Sequence, residues 1–276
     1  MLKIAVCFSG ETKDYNSLDH VHNTWKLFAE KMADGGYGFV HFYGHTWSHC
    51  EPPNDSLPFR NIKIDDQKQI DDWVNEDIIF RSANKTQWQS VPEFKKMNQQ
   101  QRLSHYLEMS RRCYGQLIGG IESFKLVGSS YDYIIRTRWD VELYENQLHK
   151  LIDFWDEYAA MDWPIRAFHE HLYLLNCSVI SFGQKGMDLP EDFFFILSND
   201  DYLHNKFKID WREALDDILQ QTVHKPDRSK PSSHTLWRLY FQWLDVVALP
   251  ILDHKIAKIH RIPGVETTAT KNKWSI

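Results

Sequence analysis

In KIAVCF, residues 3 to 8, apolar residues follow Lys3 without a break and stop at Ser9-Gly10. A short continuous apolar run that ends on small residues predicts a strand covered on both faces, as in a parallel sheet. The period then changes. Leu18, Val21, Trp25, Phe28 and Met32 recur three and four apart, which predicts an amphipathic helix from about Ser17 to Met32. Gly35-Gly36 closes it. YGFVHFYGHTW, residues 37 to 47, predicts a second strand, EPPNDSLP, residues 51 to 58, a loop, and NIKI, residues 61 to 64, a short third strand. Residues 65 to 98 are polar and carry no clear period.

Residues 99 to 127 predict one long helix, because Leu103, Leu107, Ser110, Tyr114, Leu117, Ile121 and Phe124 step by four and three along one face up to Gly128. YDYIIRTRWDVEL, residues 131 to 143, reads as a strand by its β-branched and aromatic centre. Beyond it, residues 146 to 158 predict a helix, 172 to 183 a strand or hairpin arm, and 191 to 201 an apolar run between acids. Residues 225 to 234 form a loop, TLWRLYFQWLDVV after it a helix, and KIAKIHRI, residues 255 to 262, an alternating strand. Strand, helix, strand, helix, strand is an α/β pattern with a single, mostly parallel sheet flanked by helices. No linker-like tract divides the chain, so one domain over residues 1 to 276 is expected.

The charges on the 131–143 strand raise a chemical question. Alternation puts Arg136, Arg138, Asp140 and Glu142 on one face. Four charges on one side of a buried strand are costly unless they meet partners. Ligands of open α/β sheets bind outside the carboxyl ends of strands, where Asp140 and Glu142 fall. Two acids spaced i, i+2 can share Mg²⁺ or Mn²⁺, with Arg136 and Arg138 holding the acids or meeting a diphosphate. The other reading is an exposed strand end with ion pairs that neutralise each other. Ser9-Gly10 adds a small-residue turn after the first strand, open to backbone contact with a ligand. The chain has no GxGxxG and no GxxxxGK[ST], which argues against the usual dinucleotide and P-loop chemistry.

Composition changes this picture only at the margins. The net charge of -6 gives no global help towards nucleic acid, although HKPDRSKPSSH and KNKW are locally basic. Four widely spaced cysteines without a CxxC read as free thiols, and no apolar run reaches membrane-spanning length, so a cytoplasmic protein is expected. The 39 aromatic residues (11 Trp, 12 Tyr, 16 Phe) pack a core or stack on sugars and bases. His45 and His49 are either metal ligands or ordinary core and loop histidines, and His234 is either a base or a first-turn helix residue.

KIAVCFSGETKDY, FVHFYGHTWS, QQQRLSHYLEMSR, YDYIIRTRWDVEL and PEDFFFILSND together resemble a group of phage and bacterial proteins assigned as glycosyltransferases. Their pattern is FSGQxR, HTW, QxxS, YDxxIRTRxD and a late acid-aromatic motif. The resemblance spans roughly residues 2 to 200, and only the RTRxD stretch is specific. Glu11 and Lys13 stand where the pattern has Gln and Arg, so Lys13 keeps a charge but loses the bidentate fork. The resemblance implies a Rossmann-like GT-A fold, a nucleotide-sugar donor of UDP type and Mn²⁺ or Mg²⁺. It implies that Ser9, Gly10, Lys13, Arg136 and Arg138 bind the donor, and that Asp140, Glu142 and His260 hold metal. Asp192 is then the expected base, with His234 the second candidate. The expected acceptor is a glycan hydroxyl or, in a phage setting within the host cytoplasm, a hydroxymethylated DNA base. The polar tail, residues 263 to 276, is expected to close over the donor as a lid. A nucleotidyltransferase and a non-catalytic carbohydrate- or protein-binding module are the alternatives.

Overall fold

A computed structural model describes residues 1–12, 18–74, 97–153, 177–182, 193–223, 233–252 and 257–259. Lys13, Asp192, His260 and the 263–276 tail lie outside the described residues.

Strands β1 (Leu2–Ser9), β2 (Gly38–Trp47), β3 (Phe59–Asp65), β4 (Tyr133–Arg138), β6 (Cys177–Phe182), β7 (Phe194–Ser198) and β8 (Val246–Leu252) form one sheet in the order β3-β2-β1-β4-β7-β6-β8. The pairs β1–β2, β1–β4, β2–β3 and β6–β8 are parallel, while β7 runs antiparallel to both β4 and β6. A smaller antiparallel pair joins β5 (Val141–Leu143) to β9 (Ala257–Ile259). Among the described residues the helices include α1 (Asp19–Asp34), α2 (Gln99–Phe124), α3 (Asp201–Phe207), α4 (Trp211–Val223) and α5 (Ser233–Trp243). The fold is therefore α/β, a mixed and mostly parallel sheet flanked by helices.

β1 earns its central place by composition. Ile4 to Phe8 are fully buried, and alternate side chains feed two cores. Ala5 and Cys7 join Tyr114, Leu117, Ile121 and Trp237 on the face covered by α2, α4 and α5. Ile4, Val6 and Phe8 join Val21, Trp25 and Phe28 on the face covered by α1. α2 starts with a capping box. Asn98 Oδ1 accepts from the Gln101 amide at 2.9 Å, and Gln101 Oε1 accepts from the Asn98 amide at 3.0 Å. Among the described residues, no helix is long and apolar enough to cross a membrane. Cys7, Cys50 and Cys113 are free thiols.

Two expectations change. The predicted strand over 131–143 breaks: β4 stops at Arg138, residues 139 and 140 turn, and β5 enters the second sheet. The cause is Trp139. Its indole is 1% exposed, donates Nε1–H to the His45 carbonyl at 3.1 Å, and packs at a tilt against Phe8 and Phe59. It fills the space left by the missing side chain of Gly44, where an added Cβ would come within 2.7 Å of the ring. Consequently Asp140 lies on a turn, and the four charges do not share one strand face. The predicted helix over TLWRLYFQWLDVV also divides. α5 ends at Trp243, Asp245 takes φ 59°, and the next two valines begin β8.

Candidate functional site

The parallel register assembles a polar row at the carboxyl ends of the strands. Lys63 of β3 pairs with His45 of β2, His45 with Ser9 of β1, and Ser9 with Arg138 of β4. Registered neighbours point to the same face, here the α2 face. One row deeper, Cys7 pairs with Tyr43 on one side and Arg136 on the other, and Arg136 pairs with Phe195 of β7.

Arg136 is completely buried. Its guanidinium carbon lies 5.0 Å from the Trp237 ring centre and 5.7 Å from that of Phe195, and its Nε donates to Ser9 Oγ at 3.0 Å. A desolvated cation over aromatic faces gains about 2 kcal/mol, which offsets part of its burial. Ser9 is itself 1% exposed, and Gly10 after it has φ 110° with nothing within 4 Å of an added Cβ. That backbone angle favours glycine, and an added methyl would meet no atom, although Gly10 is itself buried and Glu11 is the exposed residue of the turn.

α2 comes close enough to cover this row because two glycines face it. A Cβ on Gly120 would lie 2.4 Å from the Trp237 ring; one on Gly119 would lie 3.0 Å from His45 Nδ1 and 3.4 Å from the Gly10 amide nitrogen. His45 is fully buried and its Nε2 meets Asp65 Oδ2 at 3.1 Å. Lys63 Nζ lies 2.8 Å from Asp65 and also bonds Glu122 of α2, which is held in turn by Lys125. Burial alone would raise the Asp65 carboxyl, but hydrogen bonds from His45 and Lys63, with their charges, outweigh it and hold the group at about 2. Burial likewise opposes charge on Lys63, and the bonds to Asp65 and Glu122 prevail, so its pKa rises. Burial, with the nearby Glu122 charge, pushes the Tyr240 phenol up.

The residues expected to act divide accordingly. Ser9, Gly10, Arg136 and Arg138 are brought together. Arg138 clasps Asp140 through Nε at 2.9 Å and Nη2 at 2.6 Å, using both carboxylate oxygens. Glu142 does not join them: it lies 4.0 Å from His20 of α1, on the opposite side of the break at Trp139. His234 is half-buried on the first turn of α5, one turn before Trp237. Lys13, Asp192 and His260 are outside the described residues. Among the described residues, no group of three or more His, Cys, Asp or Glu side chains converges to hold a metal. Of the two readings weighed for His45, the core histidine describes its place: it is buried and bonded to the Asp65 carboxylate.

Lys63, Asp65, Glu122 and Trp237 were not singled out from the sequence. The double glycine inside an otherwise regular helix, GQLIGGIESF, was the available signal that something bulky or polar lies beneath α2.

No protein-family model matches this chain, and no curated protein matches it. Among solved structures the chain is similar in fold to mouse xyloside xylosyltransferase 1 in its apo form. The likeness covers 90% of this chain and 84% of that one, at 8% identity and a TM-score of 0.39.

Proposed function

We propose that this protein is a glycosyltransferase that moves a sugar from a nucleotide-sugar donor, most simply a UDP-sugar, to a hydroxyl acceptor on a glycan. The observation that carries the reading is the fully buried Arg136, hydrogen-bonded to Ser9 beneath a glycine turn at the carboxyl ends of the parallel strands β1 and β4. Anions bind where backbone N–H groups and fixed cations converge. The motif resemblance over residues 2 to 200 points to the same chemistry.

In this reading the Ser9-Gly10 turn and Arg138 receive the donor diphosphate, with Lys13 beside them, and the buried Arg136 adds its charge from beneath through its bond to Ser9. The donor's anomeric C–O bond breaks, the nucleoside diphosphate leaves with the bond electrons, and the acceptor oxygen forms the new bond. The acceptor's proton passes to Asp192 or, one turn from Trp237, to His234. The cations offset charge growing on the leaving group. Asp140 fits a divalent ion in one respect, being a partly exposed carboxylate with side-chain exposure of 24%. Mg²⁺ and Mn²⁺ are commonly held by one or two carboxylates plus substrate phosphate, so a third protein ligand is not required. Arg138 would have to release Asp140 first. When bound, such an ion supplies Lewis-acid stabilisation of the leaving diphosphate.

A thermal-shift panel of nucleoside diphosphate sugars, each with and without Mn²⁺, tests the proposal. A melting rise that needs a UDP-type ligand and is larger with metal is expected. No shift with any nucleotide, in protein shown to be folded, would overturn it.

A further inference from the structure

The turn that follows β1 is held more firmly than its loop sequence implies. Thr12 has no regular secondary structure, yet it is 2% exposed. Its hydroxyl donates to the Glu51 carbonyl at 2.5 Å and accepts from Thr46 Oγ1 at 3.3 Å. Thr46 is 1% exposed and is the next-to-last residue of β2. At the other end of the turn, Ser9 Oγ accepts from Arg136. In the middle, the Gly10 amide nitrogen and His45 Nδ1 both border the missing side chain of Gly119. Four consecutive residues are thus tied at each end and confined between, and the end of β2 supplies the Thr46 tie at the far end.

Such restraint matters for a turn that, in the proposed reading, receives an anion on its N–H groups. Fixing a residue's backbone costs conformational entropy, and a ligand that has to order the turn loses affinity accordingly. A turn already held by the protein does not charge the ligand for it. The bond from Thr46 reaches Thr12 rather than any ligand, so its influence on binding is indirect.

We infer that Thr46 is a positioning residue: through the Thr12 hydroxyl and the Glu51 carbonyl it fixes the Ser9–Thr12 turn in its anion-receiving shape. The structural half of this stands on the hydrogen bonds alone. The binding half rests on the proposed nucleotide reading.

The test uses the full chain and three variants. Thr46→Val keeps the shape and removes the donor, Thr46→Ser restores the hydroxyl, and Thr12→Val removes the acceptor from the other side. Amide hydrogen exchange at Gly10, Glu11 and Thr12 is measured first, and UDP affinity in the presence of Mn²⁺ second. Thr46→Val and Thr12→Val are expected to raise exchange at these amides by roughly tenfold while core amides keep their rates, with UDP affinity falling about tenfold and Thr46→Ser recovering both. Unchanged exchange in folded Thr46→Val overturns the inference. If that variant does not fold, Thr12→Val decides by the same criterion. Faster exchange in a protein whose wild type binds no UDP supports the clamp and overturns the nucleotide reading, so the two ideas fail separately. Faster exchange with unaltered UDP affinity overturns the claim that the clamp serves binding.

Discussion

Arg138 and Asp140 are two residues apart and form a closed bidentate pair, Nε to Oδ1 at 2.9 Å and Nη2 to Oδ2 at 2.6 Å. The turn at Trp139 makes this possible, because a continued strand would hold positions 138 and 140 farther apart. The carboxylate that the sequence offers to a metal is therefore already matched with a cation. Asp140→Asn should leave the fold nearly unchanged, since the pair is partly exposed and exposed ion pairs contribute about 0.2–1 kcal/mol. It should weaken Mn²⁺-dependent UDP binding by at least about tenfold, read by calorimetry. Equal affinity in the variant and the wild type would remove Asp140 from the metal reading.

Arg136 separates binding from stability. Replacing a buried charge by an apolar group of similar length is often neutral or stabilising. Arg136→Met should therefore melt within a few degrees of wild type while losing most affinity for UDP. A fall in melting temperature beyond ten degrees would mean that the guanidinium is chiefly structural.

Gly10 and the α2 glycines respond differently to the same added methyl. Gly10→Ala meets no atom, so its cost is the positive φ alone, about 1–2 kcal/mol, with weaker UDP binding as the turn shifts. Gly120→Ala drives a Cβ into the Trp237 ring and should lose about 1–3 kcal/mol, despite gaining helix propensity of about 1 kcal/mol. Chemical denaturation of the two variants gives both values. A Gly120→Ala protein more stable than wild type would show that Trp237 can move aside.

Acid should destabilise the protein in two windows. His41 is held below its ordinary 6.5 by burial and by the Arg60 and Lys3 charges, and His204 is lowered by burial and Lys208. The unfolded chain binds these protons more readily, so stability is complete above 6.5 and falls as pH drops below it. Asp65, held at about 2 against an ordinary 3.8, contributes stability that is present above 3.8 and lost as pH falls towards 2. Equilibrium unfolding of wild type and Asp65→Asn between pH 2 and pH 7 should show the difference between them shrinking below about pH 4. A difference that is constant with pH would exclude the pairing of Asp65 with His45 and Lys63 as its source.

The elements that were legible in the chain are those whose burial is uniform. β1 is covered on both faces and reads as an apolar run, and α2 presents one long apolar stripe to the sheet. The break at Trp139 was hidden because alternation records which side chains are polar, not where an indole finds room. That room is made by Gly44, 95 positions earlier. The Lys63–Asp65–Glu122 cluster was hidden for a similar reason. It joins two elements that meet only when β3 and α2 pack on neighbouring parts of the same sheet. Ser9, Gly10 and the two arginines could be found, because a strand's carboxyl end is a site that topology prescribes.

The central strand pairing has a consequence for how the chain comes to be made. β1 lies between β2 and β4, and the Lys3 amide donates to the Asp132 carboxylate across 129 positions of sequence. At ribosomal speeds of about 5–20 residues per second, one edge of β1 waits on the order of ten seconds for its partner. During that interval an apolar strand buried on both faces in the finished molecule has an unpaired rim, open to capture by chaperones or by a neighbouring nascent chain.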